Sequence, residues 1–160
     1  MLHLFCGKIA SGKSTLAREI AAQENGILLV QDEWMATLFP GEIKTIEDFA
    51  SALGKLRKVM GPHIVALLRR GQTVVLDFHA NTLNARTWMK SIITDAGVRH
   101  TLHYLKTSDE TCKSRLHVRN ASGEHEYQVS AEEFDLFAQH FAEPDPAEGF
   151  HIIVHQPSRA

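Results

Sequence analysis

Eight residues near the start of the chain, Gly7 to Ser14, match the pattern G-x-x-x-x-G-K-[ST]. This pattern forms a phosphate-binding loop, or P-loop, when a strand precedes it and a helix follows it. Both conditions are met, because an apolar run at 2–6 precedes the loop and a helical pattern of apolar residues follows it. In such an arrangement the backbone N–H groups and the helix N-terminus form a nest for anions. The sequence therefore predicts a site for the phosphates of a nucleoside triphosphate.

The residue types within the P-loop predict its ligands. Lys13 is expected to reach the β- and γ-phosphates, and the Ser14 hydroxyl is expected to help hold Mg²⁺. We therefore predict ATP and Mg²⁺ as cofactors. The residues expected to contact the nucleotide are Gly7, Lys8, Ile9, Ala10, Ser11, Gly12, Lys13, Ser14 and Thr15.

Composition narrows the class of protein. The chain has 160 residues, 44% of them hydrophobic and 22% charged, which predicts one globular domain over 1–160. A formal net charge of −2 does not suggest a general nucleic-acid-binding surface. No basic leader or bilayer-length apolar run is present, and two cysteines do not suggest a disulfide framework. We expect a cytoplasmic protein that does not engage a membrane.

Short apolar runs alternate with helical patterns along the whole chain. After the first run, four more have strand length: 27–30, 73–77, 100–105 and 150–154. This alternation predicts an α/β fold, a three-layer sandwich whose five-stranded parallel sheet is covered by helices on both faces. Within the long helical pattern that starts at Ile46, Gly61-Pro62 predicts a kink or two abutting helices. The helix after the fourth strand is expected to begin with a capping box from Thr107 to Glu110, and the polar segment 120–128 to be a mobile loop.

A carboxylate follows the second predicted strand. Asp32 lies there, next to Glu33. Ligands in such sheets bind beyond the carboxyl ends of the strands, so Asp32 would face the γ-phosphate. There it could accept the proton of an acceptor hydroxyl as general base, with Glu33 as the nearest competitor. The structural alternative is that Asp32 is the N-cap of a short helix.

A second carboxylate, Asp77, ends the third predicted strand. An apolar strand that ends in aspartate is the Walker B arrangement, in which the carboxylate holds Mg²⁺. Two alternatives remain for Asp77: it could be a turn residue, or it could accept a hydrogen bond from the substrate. The metal ligands predicted are therefore Ser14 and Asp77, and the ten histidines show no metal-ligand spacing.

Arg115 and Arg119 lie four residues apart on the helix after the fourth strand. Their guanidinium groups could neutralise the transferring phosphoryl group as part of a lid at about 108–128, or remain solvated on the helix surface. For the acceptor, the residues predicted to contact substrate are Asp32, Trp34, Asp77, His79 and Arg86. Trp34 and Phe78 could line the acceptor pocket or pack in the core.

Segments along nearly the whole chain together resemble a known family. They are GKIASGKS, VQDEWMATLF, VVLDFHANT with Arg86 after it, LHYLKT, SRLHVRN, VSAEEFDLF and GFHIIVH. They resemble the small P-loop kinases of the AAA-33/zeta-toxin-like group, whose relatives include chloramphenicol phosphotransferase and the polynucleotide 5′-kinase domain. The resemblance implies a nucleoside-monophosphate-kinase-like fold with strand order 2-3-1-4-5. It also implies ATP-dependent phosphorylation of a hydroxyl, with Asp32 as base and Arg115 and Arg119 as lid arginines.

The chain departs from the group between Asp32 and Asp77. This segment is short and lacks an insert for a large sugar-nucleotide. The departure argues against a zeta-toxin-like substrate. The function predicted is therefore transfer of the γ-phosphate of ATP to a hydroxyl of a small molecule.

Two alternative functions stay open. A polynucleotide 5′-hydroxyl kinase would need an electropositive groove that leads to Asp32, and nucleic acid is considered only as this acceptor. A nucleotide-binding switch or slow ATPase would need no acceptor pocket at all.

Overall fold

The computed structural model describes residues 1–124 and 128–157. Its strands are β1 (Leu2–Cys6), β2 (Ile27–Val30), β3 (Val74–His79), β4 (His100–Leu105) and β5 (Ile152–His155). Its helices are α1 (Lys13–Glu24), α2 (Gln31–Leu38), α3 (Ile46–Arg69), α4 (Leu83–Ala96), α5 (Asp109–Ser122) and α6 (Ala131–Gln139), with a short 3-10 turn at Pro146–Glu148. The strands form one parallel sheet in the order β2-β3-β1-β4-β5, which confirms the predicted fold class and strand order.

The core lies on both faces of this sheet. Every residue of the central strand β1 is buried, as expected of a strand covered on both sides. On one face Leu4 and Leu76 pack with side chains of α3 and α4. On the other face Phe5 and Val75 pack with side chains of α1. Since β1 leads into the P-loop and α1 leaves it, burial of these two elements fixes the position of the loop.

One of the two alternatives expected at Gly61-Pro62 is wrong. Helix α3 is continuous through Pro62, so the chain does not form two abutting helices there. Proline removes one helical hydrogen bond, at a cost of about 3 kcal/mol. The buried stripe of α3, which includes Leu56, Met60 and Ile64, packs in the main core and offsets that cost.

Three boundaries also differ from expectation. Strand β3 continues to His79, and β5 is shifted to Ile152–His155. Ser108, not Thr107, caps α5, because its side chain accepts the N–H of Thr111. Since α5 continues to Ser122, the first part of the expected loop 120–128 is helical, and the remainder includes residues 125–127, which lie outside the described residues. No helix within 1–124 or 128–157 combines the length and apolar character needed to cross a bilayer.

Candidate nucleotide and phosphoryl-transfer site

The shape of the P-loop requires glycine at both glycine positions of its pattern. Gly12 has φ of 103°, in the left-handed region that favours glycine. A Cβ atom on Gly7 would lie 2.5 Å from Ser11 Oγ and 3.0 Å from the carbonyl oxygen of Leu105. Between them the Ser11 N–H donates to the Lys8 carbonyl over 3.1 Å and closes the turn. The loop is thus a tight cradle that a side chain at Gly7 would fill.

Two polar residues that the sequence did not single out as site residues hold this loop in place. Asn81 Oδ1 accepts the N–H of Gly7 at 2.9 Å. The hydroxyl of Thr107 donates to the carbonyl oxygen of Ser11 over 3.3 Å. Asn81 and Thr107 follow β3 and β4, the two neighbours of β1. Their positions just after predicted strands are the sequence feature that could have identified them as P-loop contacts. The spacing of Thr107 and Glu110 predicts a helix cap, but Thr107 contacts the P-loop instead.

Lys13 is buried beneath the P-loop. Its Nζ donates to the carbonyl oxygens of Gly7 at 2.6 Å and Lys8 at 2.8 Å. Burial holds the pKa of the Lys13 ammonium below its usual value, and the carboxylate of Asp77 gives the largest opposing effect, with a smaller one from Asp32. Lys13, Asp77 and Asp32 come from three separate parts of the chain, and the structure brings them near enough for the two carboxylates to favour the charged form of Lys13.

The residues around Lys13 also suit a magnesium ion. Asp77 is 5% exposed and lies on the face of the sheet that α1 covers. Ser14 directly follows Lys13 in the first turn of α1. Among residues 1–124 and 128–157, no group of three or more His, Cys, Asp or Glu side chains could hold a metal alone. One hydroxyl and one carboxylate suffice at a P-loop, because nucleotide phosphates and water supply the remaining oxygen ligands.

Asp32 and Glu33 are adjacent on α2, but their carboxylates point to different surroundings. Val30 is the N-cap of this helix, so Asp32 does not cap it and lies in its first turn. The Asp32 side chain is 18% exposed, and its Oδ2 lies 3.8 Å from Nε2 of His79. Glu33 instead points to the surface, where its Oε1 lies 3.6 Å from Nη2 of Arg18 and both side chains are more than half exposed. The arrangement favours Asp32 over Glu33 as the carboxylate of the site.

The two aromatic candidates for the acceptor pocket have different surroundings. Phe78 is 1% exposed and stacks on Trp88, with ring centroids 5.7 Å apart. Phe78 is therefore a core residue. Trp34 on α2 is 40% exposed, two residues beyond Asp32, and remains able to contact an acceptor.

Arg86 is held in a network of its own. Its Nε donates to both carboxylate oxygens of Glu148 at 2.9 Å, and its Nη1 donates to the carbonyl oxygens of Ala80 and Ala142. The residue is 1% exposed. This network favours a structural role for Arg86, which joins the start of α4 to the segment before β5, over the substrate contact that the sequence suggested.

Of the two α5 arginines, the structure places Arg115 next to the P-loop. Its Nη1 donates to the Ser11 carbonyl at 3.2 Å. Arg119 lies one turn further along α5 and is half-buried. Helix α5 is fixed there because its Cys112 and Leu116 pack with Phe134 of α6. The expected lid at about 108–128 thus begins as a helix packed beside the P-loop, and its residues 125–127 lie outside the described residues.

A cavity of about 420 Å³ adjoins the P-loop at Lys8. It lies beyond the ends of β4 and β5 and contains both polar and apolar side chains. Its lining residues are Lys8, Tyr104, Leu105, Lys106, Thr107, Ser108, Phe141, Glu143 and Gln156. The cavity lies on the β4 side of the P-loop, whereas Asp32 lies beyond β2, so the P-loop separates two regions where ligand groups can bind.

Comparison with known proteins agrees with this architecture. The family model AAA_33, described as an AAA domain, matches residues 2–144. A sugar kinase from Janibacter sp. HTCC2649 is 19% identical, with a TM-score of 0.63 over 97% of this chain and 84% of that one. Kti12 from Chaetomium thermophilum, solved with ADP-AlF3, is 14% identical, with a TM-score of 0.66 over 100% of this chain and 91% of that one. The Mycobacterium tuberculosis APS kinase CysC, solved with AMPPNP and APS, is 18% identical, with a TM-score of 0.63 over 99% and 89%. The three solved structures share at most 19% identity with the chain, and their similarity establishes a P-loop kinase fold. No curated protein matches the chain.

Proposed function

This chain belongs to the AAA_33 family of AAA domains, and we propose that it is a kinase that transfers the γ-phosphate of ATP to a hydroxyl group of a small molecule. The observation that carries the proposal is the position of Asp32. Asp32 and Asp77 both act electrostatically on Lys13, yet the P-loop itself needs only one carboxylate for Mg²⁺. The second carboxylate is then available to the acceptor, as a kinase requires.

The proposed reaction assigns one task to each of these groups. Lys13 exchanges the carbonyl oxygens of Gly7 and Lys8 for phosphate oxygens of ATP, so its charge lies where negative charge develops. The Asp32 carboxylate takes the proton of the acceptor hydroxyl as the new O–P bond forms. The bond between the γ-phosphorus and the β,γ-bridging oxygen breaks, and ADP leaves. Mg²⁺, when bound by Ser14 and Asp77, would neutralise phosphate charge.

Arg115 is the proposed lid arginine that joins this reaction. It already contacts the P-loop at Ser11, and α5 carries it above the loop. We propose that the Arg115 guanidinium leaves the Ser11 carbonyl and binds the γ-phosphate when ATP is present. Arg119, one turn beyond, is proposed to act with Arg115 once ATP is bound. Such guanidinium groups stabilise the spread of charge in phosphoryl transfer.

We place the nucleoside of ATP in the 420 Å³ cavity. Lys8 belongs both to the P-loop and to the cavity wall, so a ligand whose phosphates lie in the loop can extend directly into it. The acceptor would then bind on the opposite side of the P-loop, where Asp32, His79 and Trp34 lie. The donor and the acceptor would meet at Lys13.

The experiment that tests this function uses a panel of acceptors. The protein is incubated with ATP, Mg²⁺ and hydroxylated metabolites, antibiotics, nucleosides or oligonucleotides, and the products are identified by mass spectrometry. A phosphorylated small molecule supports the proposal. Phosphorylation of an oligonucleotide 5′ end alone would replace it with the polynucleotide-kinase alternative. ADP formation without any phosphorylated acceptor in the panel would favour the ATPase or switch.

A further inference from the structure

Three histidines from neighbouring strands form a hydrogen-bonded row on the face of the sheet that α1 covers. His3 Nε2 lies 2.9 Å from Glu24 Oε2, and His3 Nδ1 lies 3.0 Å from His103 Nε2. His103 Nδ1 in turn lies 2.9 Å from His155 Nε2. We call Glu24, His3, His103 and His155 the histidine array. It joins the C-terminal end of α1 to β1, β4 and β5, and the proposed phosphoryl transfer makes no use of it.

The two central rings of the array are buried, and its two ends are partly exposed to solvent. His3 is 4% exposed and His103 is 6% exposed, and the ring of Phe5 stacks on His103 with centroids 5.2 Å apart. The Glu24 side chain is 44% exposed, and His155 is half-buried.

The array contains the titratable groups that act on its centre. His3 of β1, His155 of β5 and Glu24 of α1 are the groups in 1–124 and 128–157 whose charge affects His103. Protonation within the array is therefore set by these four side chains together.

The geometry limits how hydrogens can be distributed when all three rings are neutral. Each nitrogen–nitrogen contact needs one hydrogen, carried by either of its two nitrogens. The contact with the ionised Glu24 carboxylate needs a hydrogen on His3 Nε2. Because a neutral imidazole carries one hydrogen, His103 and His155 must then also carry theirs on Nε2. The neutral array thus has one arrangement of tautomers, and His155 Nδ1 is its vacant acceptor.

The same geometry accepts one additional proton. A proton that binds at His155 Nδ1 leaves all three contacts intact. It can pass inward, since a shift of one hydrogen in each contact moves the positive charge to His103 and then to His3, beside Glu24. A second additional proton has no place, because one nitrogen–nitrogen contact would then hold two hydrogens facing each other.

We propose that the histidine array is a binding site for a single proton, and that it couples the stability of the fold to pH. Burial lowers the pKa of His103 to about 4, and positive charge on either neighbouring ring, His3 or His155, acts in the same direction. A lowered pKa at His103 is what the hydrogen-bond geometry requires, because the central ring has no free nitrogen to accept a proton. In the unfolded chain each of the three histidines titrates near its ordinary pKa of about 6.5.

The array makes stability depend on pH because the folded and unfolded states bind different numbers of protons on its three rings. Below about pH 6 the unfolded chain takes up three protons on these rings, whereas the folded array holds one. Two more protons bind on unfolding, so the fold loses stability as the pH falls. The unfolding equilibrium constant should rise roughly 100-fold per pH unit from this source, between about pH 5.5 and pH 4.5. Above about pH 8 the rings are neutral in both states and the effect vanishes.

Nitrogen NMR of the wild-type protein labelled with ¹⁵N at histidine tests the proposal directly. At pH 8 we expect the three rings to be Nε2–H tautomers, with couplings between the paired nitrogens of His3, His103 and His155. As the pH falls to 5, the three rings together should gain one proton while the fold remains intact. Two or more cationic rings in the folded protein, or a mixture of tautomers at pH 8, would overturn the proposal.

A variant at the exposed end of the row gives a second, independent test. His155→Gln leaves two rings, which hold one proton when folded and two when unfolded, so the array's contribution should fall to roughly tenfold per pH unit. His63→Gln is the matched control, since His63 lies exposed on α3 and away from the array. Urea unfolding between pH 4.5 and 8 measures the slope. Equal slopes for His155→Gln and His63→Gln would contradict the single-proton site.

Discussion

Asp32 Oδ2 lies 3.8 Å from His79 Nε2, and this contact joins the first turn of α2 to the last residue of β3. Both residues lie at the carboxyl edge of the sheet, where β3 lies between β2 and the P-loop strand β1. The contact lies beyond β2 and β3, whereas the 420 Å³ cavity lies beyond β4 and β5. The base that we propose is therefore on the side of the P-loop away from the cavity, beside a histidine.

The role of Asp32 predicts a selective loss of chemistry. Asp32→Asn removes the proton acceptor and keeps the size of the side chain. Single-turnover phosphoryl transfer should fall roughly 10²- to 10⁴-fold, as for loss of a general base, while ATP affinity changes little. Rapid-quench kinetics and calorimetric titration of ATP measure the two effects. Glu33→Gln is the control, because the exposed Glu33 should leave both unchanged. A loss of ATP affinity with normal chemistry would show that Asp32 is not the base.

The cradle at Gly7 predicts a loss of nucleotide affinity. In Gly7→Ala the new Cβ would meet Ser11 Oγ at 2.5 Å and the Leu105 backbone at 3.0 Å, so the loop must shift. Overpacking of this kind costs about 1–3 kcal/mol, which corresponds to a loss of ATP affinity of about 5- to 150-fold. Titration with a nonhydrolysable ATP analogue measures it.

The matched control for Gly7 is a glycine with open space around it. Gly54 lies on α3, and a Cβ added to it would meet no atom within 4 Å. Gly54→Ala should stabilise the protein by about 0.5–1 kcal/mol and leave ATP affinity unchanged. If Gly7→Ala bound the analogue as tightly as Gly54→Ala, the P-loop would not be the phosphate site.

The structural assignment of Arg86 predicts an effect on stability. Glu148→Gln removes the carboxylate that faces the buried guanidinium, and an uncompensated buried charge costs about 3–5 kcal/mol. Chemical denaturation at neutral pH measures the loss. Asp135→Asn breaks the exposed contact with Lys113 and should leave the midpoint within error of the wild type. A stable Glu148→Gln protein with impaired turnover would instead return Arg86 to the substrate site.

Much of the fold could be predicted because its signals are local. Each strand is a short apolar run, and each helix carries its own periodic pattern. The carboxyl ends of parallel strands share one edge, so Lys13, Asp32 and Asp77 could be assigned to one site from their places after the strands. The strand order was predicted from the family resemblance and is confirmed.

The remaining features depend on contacts between distant residues. The burial of Arg86 is set by Glu148, 62 positions later, and by backbone carbonyls that have no sequence signature. Thr107 has the spacing of a helix cap, but the P-loop lies close enough to compete for its hydroxyl. The histidine array requires the register that places His103 beside Phe5 and Ile153. No periodicity within one strand reveals such a row.

The central claim is that the phosphoryl group passes to an acceptor hydroxyl and not to water. The most direct test uses ATP whose γ-phosphate carries ¹⁸O at every oxygen, with the acceptor found in the panel, and follows the label by mass spectrometry. We expect the wild type to form an acceptor phosphate with three labelled oxygens. Lys13→Ala should form none while its circular dichroism stays native. Equal product from Lys13→Ala, or label that appears only in inorganic phosphate, would contradict the proposed kinase.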